Sequence, residues 1–149
     1  MRLPLVYIVV LFLLWGCSNE ESPGEKPAKK YVPPADGRIT QEMVDAYVMA
    51  SKYVMEAITN YQKAVEELAQ RHKISSDMLS DSTYLAKHPE VKRSYERLQE
   101  NWRQDEADAY EKAGIGEEEF TWIGSALTDT LNKDIQVQVE QRLADIIKQ

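Results

Sequence analysis

The sequence predicts an all-α protein: three long antiparallel helices, bundle- or coiled-coil-like, with a short extra helical element. Three observations carry this. Apolar side chains recur at alternating spacings of three and four from Val44 to Leu68, and at similar spacing from Phe120 to Ile146, which is the repeat of one helix face. Thr40, Pro89 and Gly114 stand where helices start and stop. The single run that alternates with period two, Ile135 to Glu140, would have no strand to pair with, and the helical spacing passes through it.

Composition sets the frame. The chain has 149 residues, enough for one domain. Its net charge of -7 repels phosphate backbones, which argues against nucleic acid as a partner. A lone cysteine, Cys17, can form neither an internal disulfide nor a thiolate metal site. The fold therefore rests on apolar burial.

At the N-terminus, Arg2 precedes an uncharged apolar run from Leu3 to Trp15, closed by Gly16 and Cys17. As a helix that run spans about 20 Å, short of the roughly 30 Å of a hydrocarbon core. The length suits the apolar region of a signal peptide, and a small residue follows it. Leu14-Trp15-Gly16-Cys17 resembles the lipobox of bacterial lipoproteins: Leu14, Gly16 and Cys17 match in place, while Trp15 stands where a small residue is usual. The resemblance implies cleavage between Gly16 and Cys17, a diacylglycerol on the Cys17 sulfur and acylation of the new amino group. It makes the membrane the first partner and this covalent lipid the only prosthetic group. Ser18 takes the place where, in diderm bacteria, an Asp favours inner-membrane retention, so the resemblance implies the outer membrane, facing the periplasm.

Ser18 to Gly37 contains Pro23, Pro27, Pro33 and Pro34 and mixed charges, with Tyr31 and Val32 as its only sizeable apolar groups. Such a stretch buries too little surface to offset its ordering entropy. The expected organisation is a signal peptide over 1–16, the lipidated cysteine and a disordered linker over 17–38, and a helical domain over 39–149.

The first helix should begin after Thr40 and run to about Arg71, about 48 Å. Its seam is Val44, Tyr47, Ser51, Val54, Ile58, Tyr61, Val65 and Leu68, widened by Val48 and Met55. Asp45, Lys52, Asn60, Lys63, Glu66 and Glu67 lie opposite. Lys73 to Lys87, rich in Ser, Asp and Thr, reads as a connector with one short helical turn, folded over the end of the bundle. Pro89 opens the second helix, with a seam of Val91, Tyr95, Leu98, Trp102, Ala109 and Ala113, and Gly114 stops it. The third starts near Gly116, with Glu117, Glu118 and Glu119 in a first turn that favours negative charge. Its seam is Phe120, Ile123, Leu127, Leu131, Ile135, Val139, Leu143 and Ile146, with room for a bend near Asn132.

Ala107 to Ala126, through Ala113, Gly114, Ile115, Glu118, Glu119, Phe120 and Ile123, resembles the closing signature of a family of small secreted bacterial helical proteins. That family has no established activity, so the resemblance implies a helical fold and no reaction.

Chemistry-bearing residues are sparse. His72 and His88 flank the connector and could form a metal site only with Asp77, Asp81 or Glu90. Favourable placement at helix ends explains them more simply. No Cys-x-x-Cys-His motif and no phosphate-cradling glycine loop occurs. Ser75, Ser76, Ser80 and Ser82 lie near the histidines without a nucleophile-elbow motif. Glu117 to Glu119 diverge around a helix and read as a solvated start. No catalytic set and no metal site is expected. Trp102 belongs to a core seam. Trp122 sits one position off its seam, beside Phe120, and the pair is the candidate partner-binding anchor.

Three functions follow in order of preference. The first is a lipid-anchored, non-catalytic interaction module of the cell envelope that binds an envelope protein or a second copy of itself. The alternative is a periplasmic carrier or sensor that binds a small apolar ligand or a metal between helices. An enzyme comes last.

Overall fold

The computed structural model describes residues 30–148. The signal peptide, Gly16, Cys17 and the linker up to residue 29 lie outside the described residues, as does Gln149. Within the described residues the protein is all-α, with no strand. No helix among them is long and apolar enough to cross a membrane.

Helix α1 spans Gln41–His72. Thr40 caps it: its Oγ1 accepts a hydrogen bond from the Met43 N–H at 3.3 Å. The Met43 sulfur in turn accepts from the Thr40 N–H at 3.4 Å. This is a reciprocal capping box with a weak thioether acceptor where Glu or Gln is usual. At the other end Lys73 adopts a left-handed conformation (φ 55°), and the Ile74 N–H reaches back to the Ala69 carbonyl at 3.0 Å.

A 3-10 turn, Ser76–Ser80, and the short helix α2, Ser82–Lys87, form the connector. Asp81 caps α2, its Oδ1 accepting from the N–H groups of Thr83 and Tyr84. Helix α3, Pro89–Ala113, returns antiparallel to α1. Leu68, Ala69, Leu79 and Val91 close the turn-around end with a small buried cluster, flanked by Val65, Ile74, Tyr84, Leu85, Tyr95 and Leu98.

Helix α3 ends as α1 does. Gly114 is left-handed (φ 71°), and the Ile115 N–H bonds the Tyr110 carbonyl at 3.1 Å. The buried Ile115 side chain then joins a larger cluster with Ile39, Val44, Val48, Ala50, Tyr110, Ile123, Leu127 and Val139. We call this end the base and the connector end the tip.

The third predicted helix is in fact two, α4 over Glu117–Ala126 and α5 over Lys133–Ile147. The break is larger than a bend, and its cause is local polar competition with the helical ladder. Thr128 Oγ1 donates to the Ser125 carbonyl, Asp129 Oδ1 accepts from the Leu131 N–H, and a 3-10 turn follows over Thr130–Asn132. Leu131, expected on the seam, is therefore 44% exposed.

The break returns the chain to the base. From there α5 runs parallel to α1: Gln138 pairs with Gln41, and one turn further along both helices Arg142 pairs with Asp45. That register brings the end of α5 level with Ala50, so beyond it α1 has α3 beside it and, at its last turns, the Ser76–Ser80 turn. The α1 face that α5 covers, Val44 and Val48, continues through Met55 to Thr59, Gln62 and Glu66, which are exposed. There is no apolar stripe for a longer α5 to cover.

Candidate functional site

The two aromatics nominated from sequence as a partner-binding pair, Phe120 and Trp122, lie at the base, on α4. Phe120 does not offer a free surface. Its ring is stacked on Tyr47 (centroids 4.6 Å apart) and tilted against Tyr110 (5.1 Å). Helical spacing turns it inward, three residues before the fully buried Ile123. Trp122 is half-buried and packs against the base core. Its outer side is covered by Tyr31, with centroids 5.8 Å apart and planes tilted by 49°.

Tyr31 comes from the segment expected to be linker. The Tyr31 N–H donates to Glu118 Oε2 at 2.7 Å, a short, charge-assisted bond. Residues 30–38 thus lie against the domain as a strap. Pro34 and Gly37 close a turn in it: the Gly37 N–H bonds the Pro34 carbonyl at 3.0 Å, with Gly37 at φ 67°. The Tyr31 hydroxyl is buried and finds no hydrogen-bond partner among the described residues. An orphaned hydroxyl of this kind costs about 1–3 kcal/mol. Burial, followed by the negative charge of Glu119, also pushes the phenol above its ordinary range.

The strap's inner end is held by Asn132, which is 2% exposed. Its Oδ1 accepts from the Ile39 N–H (3.1 Å), and its Nδ2 donates to the Gly37 and Ala126 carbonyls (3.0 and 3.1 Å). One amide side chain therefore ties the strap to both helices of the broken third segment. Sequence reading placed only a bend here. The signal that could have found it is the turn-forming Pro33, Pro34, Asp36 and Gly37 next to an isolated tyrosine.

An acidic corner lies on the far side of Phe120. The Tyr110 hydroxyl donates to Glu106 Oε1 at 3.1 Å. Burial raises the Glu106 pKa, the Tyr110 hydrogen bond opposes that, and Glu117 adds to it. Tyr110 is pushed up by burial and by the charge of Glu106. An open recess of about 680 Å³, lined in part by Arg103, Glu106, Tyr110 and Glu117, faces solvent here.

The two histidines stand at helix ends, but His88, before α3, makes no side-chain cap hydrogen bond. His88 stacks on Tyr84 with centroids 4.1 Å apart, and its Nδ1 lies 3.7 Å from Glu90 Oε1. His72 closes the last turn of α1. Among the described residues no three His, Cys, Asp or Glu side chains are grouped to hold a metal ion. Glu117, Glu118 and Glu119 form the first turn of α4 and diverge, Glu118 toward Tyr31. Trp102 packs on Tyr61 across the α1–α3 seam, with centroids 5.7 Å apart.

No known family model matches the chain, and comparison with curated proteins and with solved structures likewise gives no match.

Proposed function

We propose that this chain is a lipid-anchored lipoprotein of the cell envelope, carrying a non-catalytic helical interaction module. The observation that carries the reading is Leu14-Trp15-Gly16-Cys17 directly behind an apolar run too short to span a bilayer. The only thiol of the chain sits at that boundary. Two or three acyl chains, at about 0.8 kcal/mol per buried CH₂, hold a protein on a membrane stably where one does not. Ser18 in place of Asp favours the outer membrane, with the domain on the periplasmic side.

The architecture suits such a role. The chain enters the folded domain at the base, and twelve residues (18–29) separate Cys17 from the strap. Their full extension is about 40 Å. The tether joins the domain at the base, and α1, about 48 Å long, separates the tip from that attachment. The partner is an envelope protein or a second copy. The exposed apolar groups Met49, Val137 and Ile147 on α1 and α5 are the surface to examine for it.

Two experiments test this. Cys17→Ser should abolish metabolic labelling with a fatty acid and release the protein from the membrane fraction. Unchanged retention with an unmodified Cys17 in the wild-type product would end the anchor reading. Crosslinking of the full chain in cells should capture a protein partner or a second copy. A copurifying small molecule with no crosslinked protein would instead point to a carrier.

A further inference from the structure

The strap is held at two places of unequal quality. Its inner latch is Asn132, buried and with three of its side-chain hydrogen bonds made to Ile39, Gly37 and Ala126. Its outer latch is one backbone N–H on an exposed carboxylate, Glu118, and one aromatic contact with Trp122. The outer latch also buries the Tyr31 hydroxyl with no partner among the described residues. Val32, next to it, is 81% exposed and adds no burial. A contact that strands a polar atom is weaker than the area it covers suggests, because undocking returns that atom to water. The two latches are separated by the Pro34–Gly37 turn, so one can open without the other.

We propose that residues 31–36 are the releasable part of the strap: Tyr31 leaves Glu118 and Trp122 while Asn132 keeps Gly37 and Ile39 in place. Release uncovers Trp122 beside the base. It also frees residues 31 to 36, which add about 20 Å of reach to the chain entering the domain. Tension on the N-terminal side is applied at Tyr31 first, so the latch that gives way is the one that leaves the core intact. The gain in reach has meaning only for a tethered chain, and to that extent the inference rests on the proposed anchor. The latch itself does not.

Chymotrypsin cleavage of the Tyr31–Val32 bond in the full-length protein, in detergent micelles, reads the open state, because the Tyr31 ring must leave Trp122 to enter the protease. With fast closing, the rate follows the open population. Wild type should be cut at Tyr31 while the bonds after Tyr110 and Trp122 stay intact. Trp122→Ala and Glu118→Ala should each speed that cut roughly fivefold, the change expected when one modest contact is lost from an open–closed balance. Glu117→Ala, in the same helical turn but away from Tyr31, should leave it unchanged. Tyr31→Phe keeps the ring, removes the stranded hydroxyl and should slow the cut, with rates normalised to the isolated peptide. Thermal unfolding of each variant separates strap release from loss of fold. Equal rates in wild type, Trp122→Ala and Glu118→Ala would overturn the proposal, and so would a Tyr31 cut that appears only together with cuts in α3 and α4. Cys17→Ser should cleave at the wild-type rate. Loss of the anchor would then leave the strap standing, and failure of the strap would leave the anchor standing.

Discussion

The base and the tip of the α1–α3 hairpin are closed by the same backbone device and packed to different depths. At each, a helix ends in a left-handed residue, Gly114 or Lys73, and the following isoleucine, Ile115 or Ile74, turns back toward the core. At the base that isoleucine enters a nine-residue buried cluster drawn from the strap end, α1, α3, α4, the segment after α4, and α5. At the tip it lies beside a cluster of four, all from between Leu68 and Val91. The base is assembled from segments far apart in sequence, as Asn132 on Ile39 shows. The tip is assembled from neighbours. Local assembly closes short loops, so the tip can form early and open alone. The base has to gather segments far apart in sequence and should hold most of the domain's stability.

The largest expected effect tests that division. Ile123 is fully buried at the base and Leu79 is 1% exposed at the tip. Ile123→Ala should remove about 3–5 kcal/mol from global unfolding measured in urea. Leu79→Ala removes a similar side chain, but its effect should be confined to faster amide exchange over the 3-10 turn, α2 and the neighbouring ends of α1 and α3. An equal global loss for both variants would show one cooperative unit and dissolve the contrast.

Next in size is Asn132→Ala, at about 2–3 kcal/mol. It orphans a buried N–H at Ile39 and removes a donor from two carbonyls, each worth about 1 kcal/mol. Equilibrium unfolding measures the loss, and trypsin should begin to cut after Arg38. Asn132→Asp keeps the acceptor for Ile39 but sets a buried carboxylate oxygen against the Gly37 and Ala126 carbonyls, so it should cost at least as much as Ala.

How far sequence reached follows the same line. The tip and both long helices were legible. The Val44 to Leu68 repeat, Thr40, Pro89 and Gly114 act within a few residues of themselves, and helix rules are rules of that range. The base was only half legible. Leu131 fits the apolar spacing as well as Leu127 does, yet spacing cannot register that Asp129 and Thr128 bond the backbone locally, or that Asn132 has a better use for its amide at Gly37 and Ile39. Phe120 and Trp122 stood out in sequence as a candidate partner-binding pair. That Phe120 faces Tyr47 and that Tyr31 covers Trp122 depends on residues 73 and 91 positions away, which no local pattern reports. Tyr31 itself was hidden by composition, since a proline-rich charged stretch says nothing about one ring that docks.

A pH titration should separate the ends further, with a smaller effect. Glu106, at the base, has a folded pKa above its ordinary 4.5, so the native state binds a proton more readily than the unfolded chain. Stability at the base should therefore rise as pH falls from neutral through that raised value, and level off near 4.5. Asp45, held low by its hydrogen bond from Arg142 and then by that from Gln41, acts in the opposite sense. Its contribution is present above 3.8 and is lost below it. The thermal midpoint should thus peak in mildly acidic buffer, and Glu106→Gln should remove the rise on its alkaline side. At the other extreme Tyr61, pushed up to about 12 by burial and then by its hydrogen bond with Tyr95, should make the α1–α3 seam lose stability as pH climbs from 10 toward 12.

The smallest effects come from exchanging the two caps. Gly114 at φ 71° has open space where a Cβ would stand, so Gly114→Ala meets no clash and incurs only left-handed strain, about 1 kcal/mol. Lys73 already bears that strain at φ 55°. Lys73→Gly relieves it but gives the unfolded chain more freedom, a penalty of about 0.4–1 kcal/mol. The two nearly cancel, and the net change should stay within about 0.5 kcal/mol of wild type. Even this small pair is informative through where it is felt. The Gly114→Ala loss should appear in global unfolding, because Ile115 carries the cap's geometry into the base core. The Lys73→Gly change should appear only as altered amide exchange at Ile74 and in the connector. A global shift from Lys73→Gly larger than that from Gly114→Ala would reverse the ranking of the two ends.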